Sequence, residues 1–158
     1  MAVIDVKNRI PSLVYADSVA TTSDDKDAER SAVVQAFIAQ AIYAYKPFDT
    51  VLREDFTSGR NKRATQTIFS AWSAADRALH TFGYAVDPAS LKLAPTTVKK
   101  LVAGNGKAEK AEVAAAVTRL LRLPADYKWR TGYDDSDAAA VILAHLIRND
   151  LIDGGVAE

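Results

Sequence analysis

Three aspartates are crowded into Tyr133-Asp134-Asp135-Ser136-Asp137, directly ahead of the apolar run Ala138-Ala139-Ala140-Val141-Ile142-Leu143. The apolar run reads as a buried helix, which places the acids in its first turn. Asp134 and Asp137 are three residues apart and so share one helix face. Acidic side chains suit the positive end of a helix dipole, and Ser or Asp there can cap free N–H groups. That accounts for any one of these acids without requiring three. The sharper alternative is half of a divalent-cation site, with carboxylates pinned to a buried helix. Such a site needs further acids from elsewhere in the chain.

The charge distribution points to what such a site would act on. Twenty Lys and Arg balance twenty Asp and Glu, but the zero hides a segregation. Residues 92–130 hold nine basic residues against three acids, and residues 131–158 hold one against six. A basic block beside an acidic one suits an enzyme that grips a polyanion and holds metal next to it. The plainer alternative is a set of solvated, lysine-bearing helices. Lys99, Lys100, Lys107 and Lys110 are the candidates for gripping phosphates. Lys107 and Lys110 flank a helix start, where free backbone N–H groups also favour anions. Gly104-Asn105-Gly106 is by itself weak support for phosphate binding.

The totals narrow the remaining classes. A chain of 158 residues fits one domain, spanning residues 1–158, with a real core. The absence of cysteine excludes disulfides, thiolate metal sites and cysteine nucleophiles. No run approaches membrane-spanning length and the first residues do not read as a signal peptide, so the expected location is the cytoplasm, with no membrane partner.

The elements that must position these groups follow from periodicity and punctuation. Residues 2–6 read as a strand, Lys7 to Pro11 as a turn and Ser12 to Thr21 as a second strand, together an antiparallel hairpin. Thr22, Ser23 and Asp24 are N-cap candidates for a helix running to about Tyr45, with Val33, Phe37, Ile38 and Ala41 as its inner stripe. Thr50 to Glu54 is a short strand. A helix over about Lys62 to Phe82 carries Ile68, Phe69, Trp72, Ala75 and Leu79 on one side, and Gly83 stops it. Ser90 to Leu93 is another short strand. Helices follow from Pro95 to Gly104, from Ala108 to Leu121, and from the aspartates onward. This order predicts an α/β fold whose sheet has a hairpin on one side and parallel crossovers on the other.

Three stretches resemble the RuvC-type Holliday junction resolvases of the RNase H-like superfamily, closest to their phage and Firmicute branch. The first is Val51-Leu52-Arg53-Glu54, a strand ending in an acid, with Asn61 and a long helix after it. The second is Thr96-Thr97-Val98-Lys99-Lys100-Leu101-Val102-Ala103-Gly104-Asn105-Gly106-Lys107-Ala108-Glu109-Lys110, and the third is Asp134-Asp135-Ser136-Asp137-Ala138-Ala139. No one motif is highly specific, but their order holds across residues 50–148.

The resemblance implies an RNase H-like fold, with a mixed sheet, an N-terminal antiparallel hairpin and flanking helices. It implies a Mg²⁺-dependent endonuclease, Mn²⁺ being a plausible substitute, that cuts four-way or branched DNA in recombination, repair or phage DNA processing. Glu54, Asp134 and Asp137 would be three of the family's four carboxylates, holding the metal. Against this, Glu54 can be a mere ion-pair partner of Arg53, Arg60 or Arg63. Lys99, Lys100, Lys107 and Lys110 fall in the segment where the family contacts DNA. Phe56 lies one position from where some relatives carry a base-stacking aromatic. A homodimer is expected, matched to the two-fold symmetry of a junction, with Ile68, Phe69 and Trp72 near its interface.

The family's first carboxylate, on its opening strand, has no matching pattern here. Residues 2–8 look like the family's second strand, so the expected first strand is missing from this sequence. As written, the chain is then expected to be poorly stable and nearly inactive. The rival reading makes Asp5 the first carboxylate and predicts a stable, active protein. A second class of function also stands: an RNase H-like module that binds branched DNA or a protein partner without cutting.

Overall fold

The structure, a computed structural model, describes residues 1–55 and 62–153. They group into two compact units, one of residues 1–18, 52–55 and 89–153, the other of residues 19–51 and 62–88.

The first unit opens with a hairpin of β1 (Ala2–Lys7) and β2 (Ile10–Ala16), antiparallel, with Ile4 opposite Leu13 and Lys7 opposite Ile10. Its turn is shorter than the sequence predicts. Asn8 and Arg9 both take positive φ, 51° and 65°, the conformation of a two-residue turn that matches strand twist. Pro11 therefore falls inside β2, opposite Val6. The hairpin tip is clamped to the far end of the chain. Arg9 donates to the Asp150 carboxylate at 2.8 Å, to the Asp150 carbonyl at 2.7 Å and to Asp153, and the Asp153 N–H returns to the Arg9 carbonyl at 3.1 Å.

Three helices complete this unit: α3 (Pro95–Ala103), α4 (Lys110–Leu120) and α5 (Asp134–Arg148), all packed on one another, with the hairpin also against α5. The core is built of small and medium side chains: Val98 and Val102 of α3, Val113 and Val117 of α4, and Ala139, Ala140, Leu143 and Ala144 of α5. Ala2, Ile4, Val6, Leu13 and Leu52 pack against it. Gly104 ends α3 at φ 77°, where its N–H reaches the Lys100 carbonyl. Side-chain-free space is needed again at Gly106, where a Cβ would stand 3.1 Å from the Thr96 carbonyl oxygen.

Two expected strands are not regular strands here. Pro88–Lys92 forms a 3₁₀ turn over most of the segment read as strand 90–93. Pro88 has the fixed φ that starts such a turn. Ser90, fully buried, accepts the Arg53 N–H at 3.3 Å through its hydroxyl. The Leu93 carbonyl accepts the Asp55 N–H at 3.3 Å. Residues 52–55 take part in these side-chain and backbone bonds rather than in a ladder, and among the described residues the sheet has two strands.

The second unit pairs α1 (Asp27–Tyr45) with α2 (Lys62–Thr81), around Ile42, Ala78 and Leu79. The expected caps at residues 22–24 instead make a turn ahead of α1, where the Asp24 N–H bonds the Thr22 hydroxyl at 3.1 Å. Glu29 reaches back to the Lys26 N–H at 3.1 Å. The buried stripes also differ from the expected ones. Val33 and Phe69 are exposed, and Ala74 and Ala78 are buried. Both helices are rich in alanine, and small side chains let the helices approach along a line that the larger residues alone do not reveal. No described helix is long and apolar enough to cross a membrane.

Leu143 is fully buried at the centre of α5, whereas Val14 on β2 is 48% exposed. Leu143→Ala is expected to cost about 2–5 kcal/mol in urea unfolding, and Val14→Ala to stay within about 0.5 kcal/mol.

Candidate active site

The first turn of α5 sorts its acids by direction. Tyr133 precedes the helix in a left-handed conformation, φ 64°, and its carbonyl accepts both the Asp137 N–H and the Ser136 hydroxyl at 2.9 Å. Asp135 is 3% exposed and accepts the Arg130 N–H at 3.0 Å and the Ser136 N–H at 2.9 Å. With Asp135 and Ser136 turned inward, Asp134 and Asp137 face outward on the shared face that their spacing predicts.

Lys110, the first residue of α4, stands against that face. Its ammonium donates to Asp134 Oδ1 at 3.0 Å and to the Gly132 carbonyl at 2.9 Å, and is ion-paired with Asp137 Oδ2 at 3.1 Å. The two carboxylates hold the Lys110 pKa above its ordinary value, the Asp134 hydrogen bond being the largest influence.

Glu54 comes from a different part of the same unit. It lies between Arg53, anchored by Ser90, and Asp55, anchored by the Leu93 carbonyl. Its pKa is raised, first by desolvation and then by the negative charge of Asp137, with Lys110 and Lys99 opposing. The side chain as a whole is exposed, but protein crowds the carboxylate enough for desolvation to be the main influence. Glu54, Asp137, Lys110 and Lys99 therefore share one electrostatic neighbourhood.

These three acids offer oxygen donors only, the chemistry that suits a hard divalent cation. Among the described residues, no three acids or imidazoles stand close enough to form a ready ion cage. The cation held between Asp134 and Asp137 is the Lys110 ammonium, surrounded by oxygens as a small cation would be. In donor chemistry the acids fit a divalent ion.

The family model for "Crossover junction endodeoxyribonuclease RuvC" matches residues 1–145. The chain belongs to the RuvC family. A RuvC of Neisseria meningitidis is 31% identical over 147 residues, covering 93% of this chain and 78% of that protein. A Streptomyces griseus RuvC is 30% identical over 143 residues, covering 90% and 66%. Among solved structures, Thermus thermophilus RuvC in complex with a Holliday junction substrate matches with a TM-score of 0.78 at 26% identity, covering 94% of this chain and 86% of that one. A second Thermus thermophilus RuvC structure matches with a TM-score of 0.76 at 24% identity, covering 95% and 87%. The expected RNase H-like fold class is the fold of these neighbours.

Within this RuvC-family frame, the expected carboxylates Glu54, Asp134 and Asp137 all lie in one unit, and Glu54 and Asp137 influence each other. Asp5 is half exposed on β1 and pairs with Lys7 at 3.5 Å. The four lysines separate. Lys110 is engaged by the aspartates, Lys99 is half-buried and acts on Glu54, and Lys100 and Lys107 are exposed. The start of α4 differs from the expected anion site. Glu109 precedes the helix and its N–H bonds the Glu112 carboxylate at 2.7 Å, while Asn105 takes the Lys107 N–H at 2.9 Å. Phe56 lies outside the described residues, as do Arg60 and Asn61.

Asp135, offset from the two matched positions and so set aside from the sequence as at most an assisting acid, orients the turn. Its signal was the acid immediately ahead of Ser136 at a helix start, a type that bonds nearby N–H groups.

The raised Glu54 pKa has a defined sign. A carboxyl whose folded pKa exceeds its unfolded value favours folding most when protonated and loses that contribution as pH rises through the folded pKa. Without divalent cation, Glu54→Gln is therefore expected to gain stability relative to the unsubstituted chain as pH rises above the ordinary carboxylate range. The two should converge below it, as read by urea unfolding at a series of pH values.

Proposed function

We propose that this chain is a Mg²⁺-dependent endonuclease that cuts four-way or branched DNA, a crossover junction endodeoxyribonuclease of recombination and repair acting in the cytoplasm. The observation that carries the reading is that Glu54 feels the charge of Asp137, which shares the Lys110 ammonium with Asp134 on the outer face of α5. Family membership supports the same activity. Glu54, Asp134 and Asp137 would hold the ion, with Mn²⁺ able to replace Mg²⁺. When bound, the metal supplies an activated water and stabilises charge on phosphate oxygens. The chain's own residues bind and orient. Lys99, Lys100, Lys107 and Lys110 line the approach with positive charge, so phosphate contacts position the DNA without reading its sequence.

In a form of the protein that cuts a synthetic four-way junction, Glu54→Gln, Asp134→Asn and Asp137→Asn are each expected to lower Mg²⁺-dependent cleavage by about a hundredfold or more, with junction binding largely intact. Near-normal cutting by any one variant would remove that residue from the site. The second reading, a module that binds branched DNA without cutting, is favoured by the absence of a ready three-acid cage among the described residues. Mg²⁺-dependent cleavage by the unsubstituted chain rules it out.

We also propose a homodimer. Phe69 on α2 is 51% exposed and meets Trp72 edge-on at 5.5 Å. An exposed aromatic ring such as Phe69, beside the half-buried Trp72, is what a two-fold interface buries. Sedimentation equilibrium at micromolar concentration should give twice the chain mass, and Phe69→Asp should return it to the monomer value.

A further inference from the structure

We infer that the Lys110 ammonium is the resident counter-ion of Asp134 and Asp137, and that a divalent cation binding there must expel it. The inference rests on the metal reading proposed above. An ammonium has three N–H donors and no acceptor. Two go to Asp134 Oδ1 at 3.0 Å and the Gly132 carbonyl at 2.9 Å, and the ammonium is ion-paired with Asp137 Oδ2 at 3.1 Å. Docked in this way, Lys110 spends its charge on the two aspartates. Its positive charge and its three oxygen partners are what a divalent ion would compete for.

The exchange is physically balanced. With Lys110 withdrawn, Asp134 and Asp137 would face each other uncompensated, with Glu54 already within reach of Asp137's charge. A single +2 charge offsets that repulsion better than the +1 it replaces. The Lys110 side chain is 52% exposed, and four flexible bonds let it swing out while the start of α4 stays in place. Once released, its donors are free for a phosphate oxygen. The same residue thereby links cation binding to the grip on DNA.

The inference predicts an affinity change opposite in sign to that of a purely supporting lysine. If cation binding must break the Lys110 contacts, removing them strengthens it. If Lys110 merely orients the aspartates, removing it loosens them and weakens cation binding. The test titrates Mg²⁺ alone, by calorimetry, into the full chain, Lys110→Met and Lys107→Met. Lys107 pairs with no carboxylate among the described residues, so it controls for loss of one positive charge.

Lys110→Met is expected to bind Mg²⁺ at least about threefold more tightly, the scale of two partly exposed ion pairs, with Lys107→Met close to the unsubstituted chain. In melting experiments, Lys110→Met should fall below the unsubstituted chain in EDTA and converge with it in saturating Mg²⁺. Equal or weaker Mg²⁺ binding by Lys110→Met overturns the inference while leaving the metal site standing. An equal gain in Lys107→Met also overturns it. Absence of Mg²⁺ binding in all three proteins overturns the metal reading itself, and the inference with it.

Discussion

The candidate site depends on one buried carboxylate. Asp135 is turned into the protein, where two backbone N–H groups compensate it. A helix advances about 100° per residue, so fixing Asp135 and Ser136 inward leaves Asp134 and Asp137 on the outer face. The Arg130 N–H that Asp135 accepts comes from the segment ahead of the helix, which ties the direction of the incoming chain to the rotation of α5. An unpaired carboxylate at this depth would be costly, so the rotation of the helix and the satisfaction of Asp135 are one constraint. The packing of Ala139, Ala140 and Leu143 further along α5 enforces the same rotation from the apolar side.

Glu54 is positioned by different means. Its segment has no ladder partner among the described residues and is instead fastened at Arg53 and Asp55, with Leu52 against the core. Two anchored neighbours limit how far the intervening side chain can wander. The site therefore joins a helix face set by core packing to a segment fastened on either side of Glu54.

Much of this was legible in the sequence, and the limits have physical causes. The shared face of Asp134 and Asp137 follows from spacing alone. That Asp135 is the inward acid does not, because inward and outward are decided by what the helix packs on. Glu54 emerged through the family resemblance rather than from its own surroundings. The docking of Lys110 between the aspartates depends on how α4 meets α5, which no local pattern encodes. Ser90 to Leu93 was read as a strand because short apolar runs carry no period to separate strand from turn, and Pro88 was the unused warning. The buried line of α1 and α2 was misplaced at Val33 and Phe69 because alanine contacts leave little trace in a hydrophobic pattern.

The hairpin is attached to the rest of its unit in two ways that respond oppositely to ionic strength. The Arg9 contacts to Asp150 and Asp153 lie at the surface, where salt weakens attraction between charges. Ala2, Ile4, Val6 and Leu13 sit against apolar neighbours, and excluded salts such as sulfate strengthen that kind of contact. As such a salt rises, the clamp at the tip fades while the apolar face tightens. The hairpin is in this sense buffered against its ionic surroundings, held by charge in dilute solution and by exclusion of water in concentrated solution.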